Sequence, residues 1–136
     1  MTVKEYLNQA HRLEQKMKVL VDEIAENRAL LSSISSPGFE EHYNATKNTD
    51  APFVRALEKI IERENELSEK TILLMDLKKE ISATIETVPN DDYRLILIYR
   101  YIQNLSWCKI ADNMNLDEST VRRWHNKALA QVKIPA

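Results

Sequence analysis

Ser119, Thr120, Arg122, Arg123, Asn126 and Lys127 crowd into one short stretch near the end of the chain. At about 100° per residue on a helical wheel, Ser119, Arg122, Arg123, Asn126 and Lys127 fall on one side, while Val121, Trp124, Ala128 and Val132 fall on the other. One face therefore reads as core and the other as basic and amide-bearing. Arg and Asn can make paired hydrogen bonds to guanine and adenine edges in the major groove, and Lys suits phosphate. The expected chemistry is recognition of double-stranded DNA. Ser119, Arg123 and Asn126 are the candidates for base contacts and Arg122, Lys127 and Lys109 for phosphate. Thr120, in the first turn, completes the candidate set.

No other group of residues competes with this face. The only glycine is Gly38, so neither a dinucleotide fingerprint nor a phosphate-cradling P-loop can be built. His11, His42, His125 and Cys108 are scattered, with no pair at the i, i+3 or i, i+4 spacing of a helical metal site. The acidic pairs Glu40-Glu41, Asp91-Asp92 and Asp117-Glu118 fall at loops and helix starts, where carboxylates favour the helix N-terminus. The expectation is a protein that is not an enzyme and that uses no metal or cofactor. Cys108 is the only cysteine and cannot close an internal disulfide. No apolar run reaches the roughly 18 residues of a membrane span, and Met1–Tyr6 lacks a signal-peptide core. A cytoplasmic location is expected.

A recognition face needs a frame. Ser106 can cap a helix over Trp107–Met114, with Ile110 and Ala111 facing inward. Asn115 tolerates the positive φ of a tight turn. Leu116 plugs the corner, and Asp117 is placed to cap the helix that carries the basic face. This is a helix-turn-helix. Trp107 and Trp124 both lie at inward positions and are read as core.

Upstream the chain is expected to be helical throughout. Val3, Tyr6, Ala10, Leu13, Met17, Leu20, Ile24, Leu31 and Ile34 form a seam spaced by three and four, which only Asn27 interrupts. Residues 36–50 carry Ser, Pro, Gly, Asn and Thr and read as a loop. Asp50 is the expected N-cap of a second long helix over about 51–87, with Pro52 in its first turn. Its seam reads Phe53, Leu57, Ile60, Leu67, Leu74, Ile81, Ile85 and Val88, widened by Ile61, Ile72, Met75 and Leu77. Pro89 stops it. A third helix over Tyr93–Ile102 is apolar nearly all round and should be buried. The fold class is therefore all-α: a long antiparallel helical hairpin (1–88), coiled-coil-like and suited to oligomerisation, followed by a helix-turn-helix domain (89–136). The charge follows the same division. Met1–Val88 holds 12 Lys+Arg against 16 Asp+Glu, a net of −4, whereas the remainder holds 7 against 5, a net of +2. A basic tail on an acidic chain suits a polyanion partner.

The pattern Ser106-Trp107-x-x-Ile110-Ala111-x-x-Met114-Asn115-Leu116, continued by Val121-Arg122 and Ala128-Leu129, resembles region 4 of sigma-70-type factors. From Thr2-Val3-Lys4-Glu5-Tyr6-Leu7 onward, and most specifically at Leu77-Lys78-Lys79-Glu80-Ile81, Arg100-Tyr101 and Trp107, the chain is similar to small phage- and prophage-encoded regulators of Gram-positive bacteria related to the ArpU and RinA-like late-transcription regulators. The resemblance implies a sigma-region-4-like helix-turn-helix, control of a late or packaging promoter in the bacterial host cytoplasm, and phosphate anchoring by Arg122. It leaves open contact with host RNA polymerase. Glu118 departs from the family's pattern, standing where a basic residue is common. Two rival functions fit the same elements: a DNA-packaging recognition subunit, and a coiled-coil adaptor that binds RNA polymerase or a repressor without touching DNA. A homodimer is expected, since the wide apolar face of the second long helix exceeds what one hairpin partner can cover.

Overall fold

The computed structural model describes residues 1–34 and 47–135. The protein is all-α, with no strand among the described residues. Its helices are α1 (Val3–Leu7), α2 (Gln9–Ile34), α3 (Lys47–Glu86), α4 (Asp91–Leu97), α5 (Trp107–Met114) and α6 (Glu118–Gln131), with a π-helical turn over Ile98–Ile102 after α4.

Local chemistry sets most of these boundaries. Thr2 Oγ1 accepts from the Glu5 amide while the Glu5 carboxylate accepts from the Thr2 amide, both at 3.2 Å, a reciprocal cap that starts α1. Asn8 breaks the expected continuous first helix by one residue, although the Asn8 and Arg12 amides still bond back at 3.0 Å to Lys4 and Asn8. Asn90 Oδ1 accepts from the Asp92 and Tyr93 amides and begins α4. The expected third helix changes form after Leu97. The Gln103 amide bonds to the Ile98 carbonyl, five residues back, at 3.0 Å. The wider turn shifts the side-chain register that a regular α-helix would keep. Ile96, Leu97 and Tyr101 are buried, but Leu95 is exposed, so this segment is not buried all round as expected.

The described chain divides into two compact units, Met1–Glu14 with Leu73–Ala136, and Gln15–Ile72. This packing division runs through α2 and α3 and not at Pro89. In the first unit Tyr6, Leu7 and Ala10 join Ile81, Ile85, Val88, Leu97, Tyr101, Ala128 and Val132 in one buried cluster. A second cluster, around Ile96, Ile110, Ala111 and Val121, lies inside the helix-turn-helix. The Tyr6 hydroxyl sits 3.0 Å from Thr84 Oγ1 and donates to Glu80 at 3.3 Å, so the polar end of a buried ring is satisfied.

In the second unit α2 keeps the expected seam, with Leu20 and Ile24 buried. The seam of α3 holds at Ile60, as it does further on at Ile81, Ile85 and Val88, and is corrected only at its start. Ala56 and Ile60 are buried, whereas Phe53 and Leu57, assigned to the seam by their hydrophobicity, are 38% and 41% exposed. The helix begins at Lys47, so Asp50 is within it and is not its N-cap; Pro52 also lies inside. The loop expected over 36–50 falls, up to residue 46, outside the described residues. Along α3 the inward register runs through Arg63, which reaches Glu23 at 2.7 Å. An arginine can line such a seam by burying its stem and keeping its charge at the rim. Arg28 and Glu64 form a further ion pair between these helices.

The buried cluster that contains both Leu7 and Ala128 generates a prediction about autonomy. A fragment of residues 89–136 leaves the inward faces of Leu97, Tyr101, Ala128 and Val132 without Tyr6, Leu7, Ile81, Ile85 and Val88. Losing several buried side chains at about 2–5 kcal/mol each exceeds the stability of a typical small domain. This fragment is expected to show no cooperative thermal transition by circular dichroism. A sharp transition like that of the full chain would refute the packing assignment.

Candidate nucleic-acid interface

The interface is built on the α5–α6 corner. Ser106 Oγ accepts from the Lys109 amide at 3.2 Å and starts α5. At the other end Asn115 adopts φ 55° and ψ 46°. Left-handed backbone of this kind is costly for most residues and tolerated by Asn. The turn closes with the Leu116 amide bonding to the Ala111 carbonyl at 3.0 Å. Leu116 packs, half-buried, against the cluster of Ile110, Ala111 and Val121. Asp117 takes the extended N-cap backbone of α6, but its side chain makes no cap hydrogen bond, contrary to the expectation for it.

Val121, Ala128 and Val132 are buried as expected, and Trp124 is half-buried. Trp107 is also half-buried, packed against the second cluster. On the outer side Ser119, Arg122, Arg123, Asn126 and Lys127 are exposed and Thr120 is half-buried; on α5, Lys109 is exposed. The helix therefore brings five candidate side chains to one face. Arg122 is partly engaged: its Nη2 donates to Glu118 Oε1 at 3.2 Å, and its guanidinium lies 5.9 Å from the Trp107 ring centroid. Among the described residues Arg123 and Lys127 make no ion pair, which leaves their charges available.

The residue that sequence reasoning passed over is His125. It was grouped with the scattered histidines, yet it is only 4% exposed and sits among the inward residues of α6. Its ring Nε2 lies 2.7 Å from the Tyr101 hydroxyl. The same imidazole stacks on Tyr101 and meets Trp107 edge-on, with centroids 5.6 and 4.7 Å away. Burial, followed by the nearby charges of Lys4 and Arg100, pushes His125 down to about 4. Burial pushes Tyr101 up to about 12, slightly offset by Arg100. The tyrosine thus keeps its proton and the imidazole is neutral, and the two share one buried hydrogen bond. The signal was present in the wheel: position 125 follows Val121 by four and precedes Ala128 by three.

These contacts fix α6 against the preceding segment. Arg100 lies 4.2 Å from the Trp107 ring centroid and donates to the Leu105 carbonyl at 3.0 Å. Tyr93 meets Trp124 edge-on at 6.3 Å. A recognition face is useful only if its helix is held rigidly, and aromatic and hydrogen-bonded contacts of this sort restrict rotation of the helix about its axis.

Among protein families, the model described as "Protein of unknown function (DUF1492)" matches residues 34–133, and the chain belongs to this family. The matched span includes all of α3 to α5, the π-helical turn, α6 and every residue of the outer face. No curated protein and no solved structure matches the chain.

Keeping His125 neutral makes stability depend on pH. The unfolded side chain titrates near its ordinary value of 6.5, whereas the folded one titrates at about 4. Stability is therefore complete above about pH 6.5 and falls as the pH drops toward 4, because only the unfolded chain takes up the proton there. The loss attributable to this residue is about 3 kcal/mol across the window. Denaturant titrations at pH 7.5, 5.5 and 4.0 should show it, and His125→Phe, which keeps a ring in the site, should have a visibly flatter profile. An unchanged profile in His125→Phe would assign the acid sensitivity to other groups.

Proposed function

We propose that this DUF1492-family chain is a sequence-specific double-stranded DNA-binding regulator of transcription, acting as a homodimer in a bacterial cytoplasm. The observation that carries the reading is the outer face of α6. One helix, entered through a left-handed Asn115 turn, presents Ser119, Arg122, Arg123, Asn126 and Lys127 while its opposite face is buried. Such a helix can lie in a major groove with its amide and guanidinium groups at base edges. The likeness of these residues to sigma region 4 and to phage late regulators supports a late or packaging-gene promoter as the target. Host RNA polymerase is a further partner consistent with that likeness.

The roles divide by position on the helix. Arg123 lies near the middle of the outer face, where base edges are met, and Arg122 lies to one side, where phosphates pass. Arg123→Ala is expected to cost about 1–3 kcal/mol on the specific site and to relax discrimination at one base pair. Arg122→Ala should weaken all sequences alike and lower the salt slope by about one unit. Titration of both variants on specific and scrambled DNA at several salt concentrations tests this. Variants that fold and still bind like the wild type would exclude this face as the DNA surface and favour the adaptor function.

Dimerisation is supported by a second, outward apolar face on α3. Val54, Leu57, Ile61, Ile72 and Met75 are 41–67% exposed at helical spacing. A lone helix-turn-helix has a small footprint, and two linked copies gain avidity. Light scattering is expected to give a mass near twice 15.8 kDa. A constant monomer mass over a concentration series would overturn the dimer.

A further inference from the structure

The first unit contains a small cavity of about 80 Å³ lined by Asn8, His11, Arg100 and Asn104. Two of these residues stand at irregular backbone and the other two at or just after the junction of α1 and α2. Asn8 is the break between α1 and α2, with His11 one turn beyond it. Arg100 lies in the π-helical turn, and Asn104 follows that turn with φ 56°. Departures from regular backbone at one place mark a site where side chains have been re-aimed.

The charges decide what such a cavity attracts. Arg100 is half-buried, fixed by the Leu105 carbonyl and the face of Trp107. It has no carboxylate partner among the described residues. A partly desolvated cation without a counter-charge is unfavourable, and it favours an anion placed beside it. The carboxylate that meets the cavity wall at Asn104, that of Glu14, is already engaged: Asn104 Nδ2 donates to one of its oxygens and Lys78 Nζ to the other, each at 2.6 Å. Asn8, His11 and Arg100 can all present N–H donors to the cavity. Its volume is more than twice that of one water, about 30 Å³, and far below the roughly 300 Å³ of a site for a drug-sized ligand.

We propose that this cavity is a seat for a phosphate-class oxyanion. The seat continues the track of phosphate contacts that begins at Arg122. Arg100 and Arg122 lie 4.2 and 5.9 Å from the same Trp107 ring centroid, so both guanidinium groups border one indole. Cations gathered around one side chain can serve neighbouring phosphates of one backbone. The occupant is either such a backbone phosphate or free phosphate. Only the first rests on the DNA-binding reading.

The test has two arms, on the full-length protein. In the first, inorganic phosphate and chloride are compared at equal ionic strength by thermal denaturation of wild type, Arg100→Gln, His11→Ala and Asn8→Ala. Phosphate is expected to raise the wild-type melting temperature a few degrees beyond chloride, and each variant should lose that increment. In the second, DNA binding is measured against salt, and the variants should lower the slope by about one unit on every sequence. A phosphate increment with an unchanged slope identifies free phosphate as the occupant; a lowered slope identifies the DNA backbone. If wild type binds no DNA yet gains the phosphate increment, the DNA-binding reading fails and the seat stands. No excess of phosphate over chloride together with an unchanged slope overturns the proposal. Should Arg100→Gln fail to fold, His11→Ala and Asn8→Ala decide, since both leave the contacts of Arg100 in place.

Discussion

The Tyr101–His125 hydrogen bond is the buried polar link between the two packing clusters of the first unit. Tyr101 belongs to the cluster that includes Tyr6, Leu7 and Val88, and His125 reaches from α6 to Trp107, which packs on the cluster around Ile110 and Val121. Buried polar groups must be paired, and here each ring is the other's partner. Among the described residues no buried side-chain polar atom is left without one. The pairing fixes the rotation of α6 about its axis. That rotation decides which of its residues face outward, so the chemistry of the outer face depends on an interaction on the inner one.

The residues that hold the helix in this way come from the π-helical turn. Within it Tyr101 is buried in the core while the neighbouring Arg100 reaches the face of Trp107. Arg100 then lies close enough to depress His125 further, together with Lys4 from α1. Lys4 and Tyr6 come from the start of the chain, and their involvement explains why α1 packs with the helix-turn-helix. The N-terminal segment is part of the scaffold that positions the basic face, in addition to its place in the long helical seam.

The electrostatics of the face are graded. Arg122 is partly satisfied by Glu118 and the Trp107 ring, whereas Arg123 and Lys127 have no ion-pair partner among the described residues. An exposed pair such as Glu118–Arg122 contributes little to folding, about 0–1 kcal/mol. In the proposed DNA complex its consequence would lie in binding, because a phosphate would compete with a carboxylate already in place. The overall charge of −2 gives no hint of this local balance. The basic face is a property of which residues are outward, and the acidic residues are concentrated upstream.

Residue types and their spacing are enough to set the all-α class, the seam of α2, the start of α5 at Ser106, the left-handed turn at Asn115 and the outward placement of Arg122, Arg123, Asn126 and Lys127. These follow from local rules: periodicity, capping and the rarity of positive φ in residues other than Gly and Asn. Tertiary structure alone decided the start of the α3 seam, where Ala56 is buried in place of the more hydrophobic Leu57, because packing rewards the fit of a small side chain and not hydrophobicity alone. It also decided the pairing of His125 with Tyr101 and the convergence of Asn8, His11, Arg100 and Asn104. Each of these joins residues far apart in the chain. No periodicity or local preference encodes such a meeting, since its energy comes from contacts that exist only once the helices have packed.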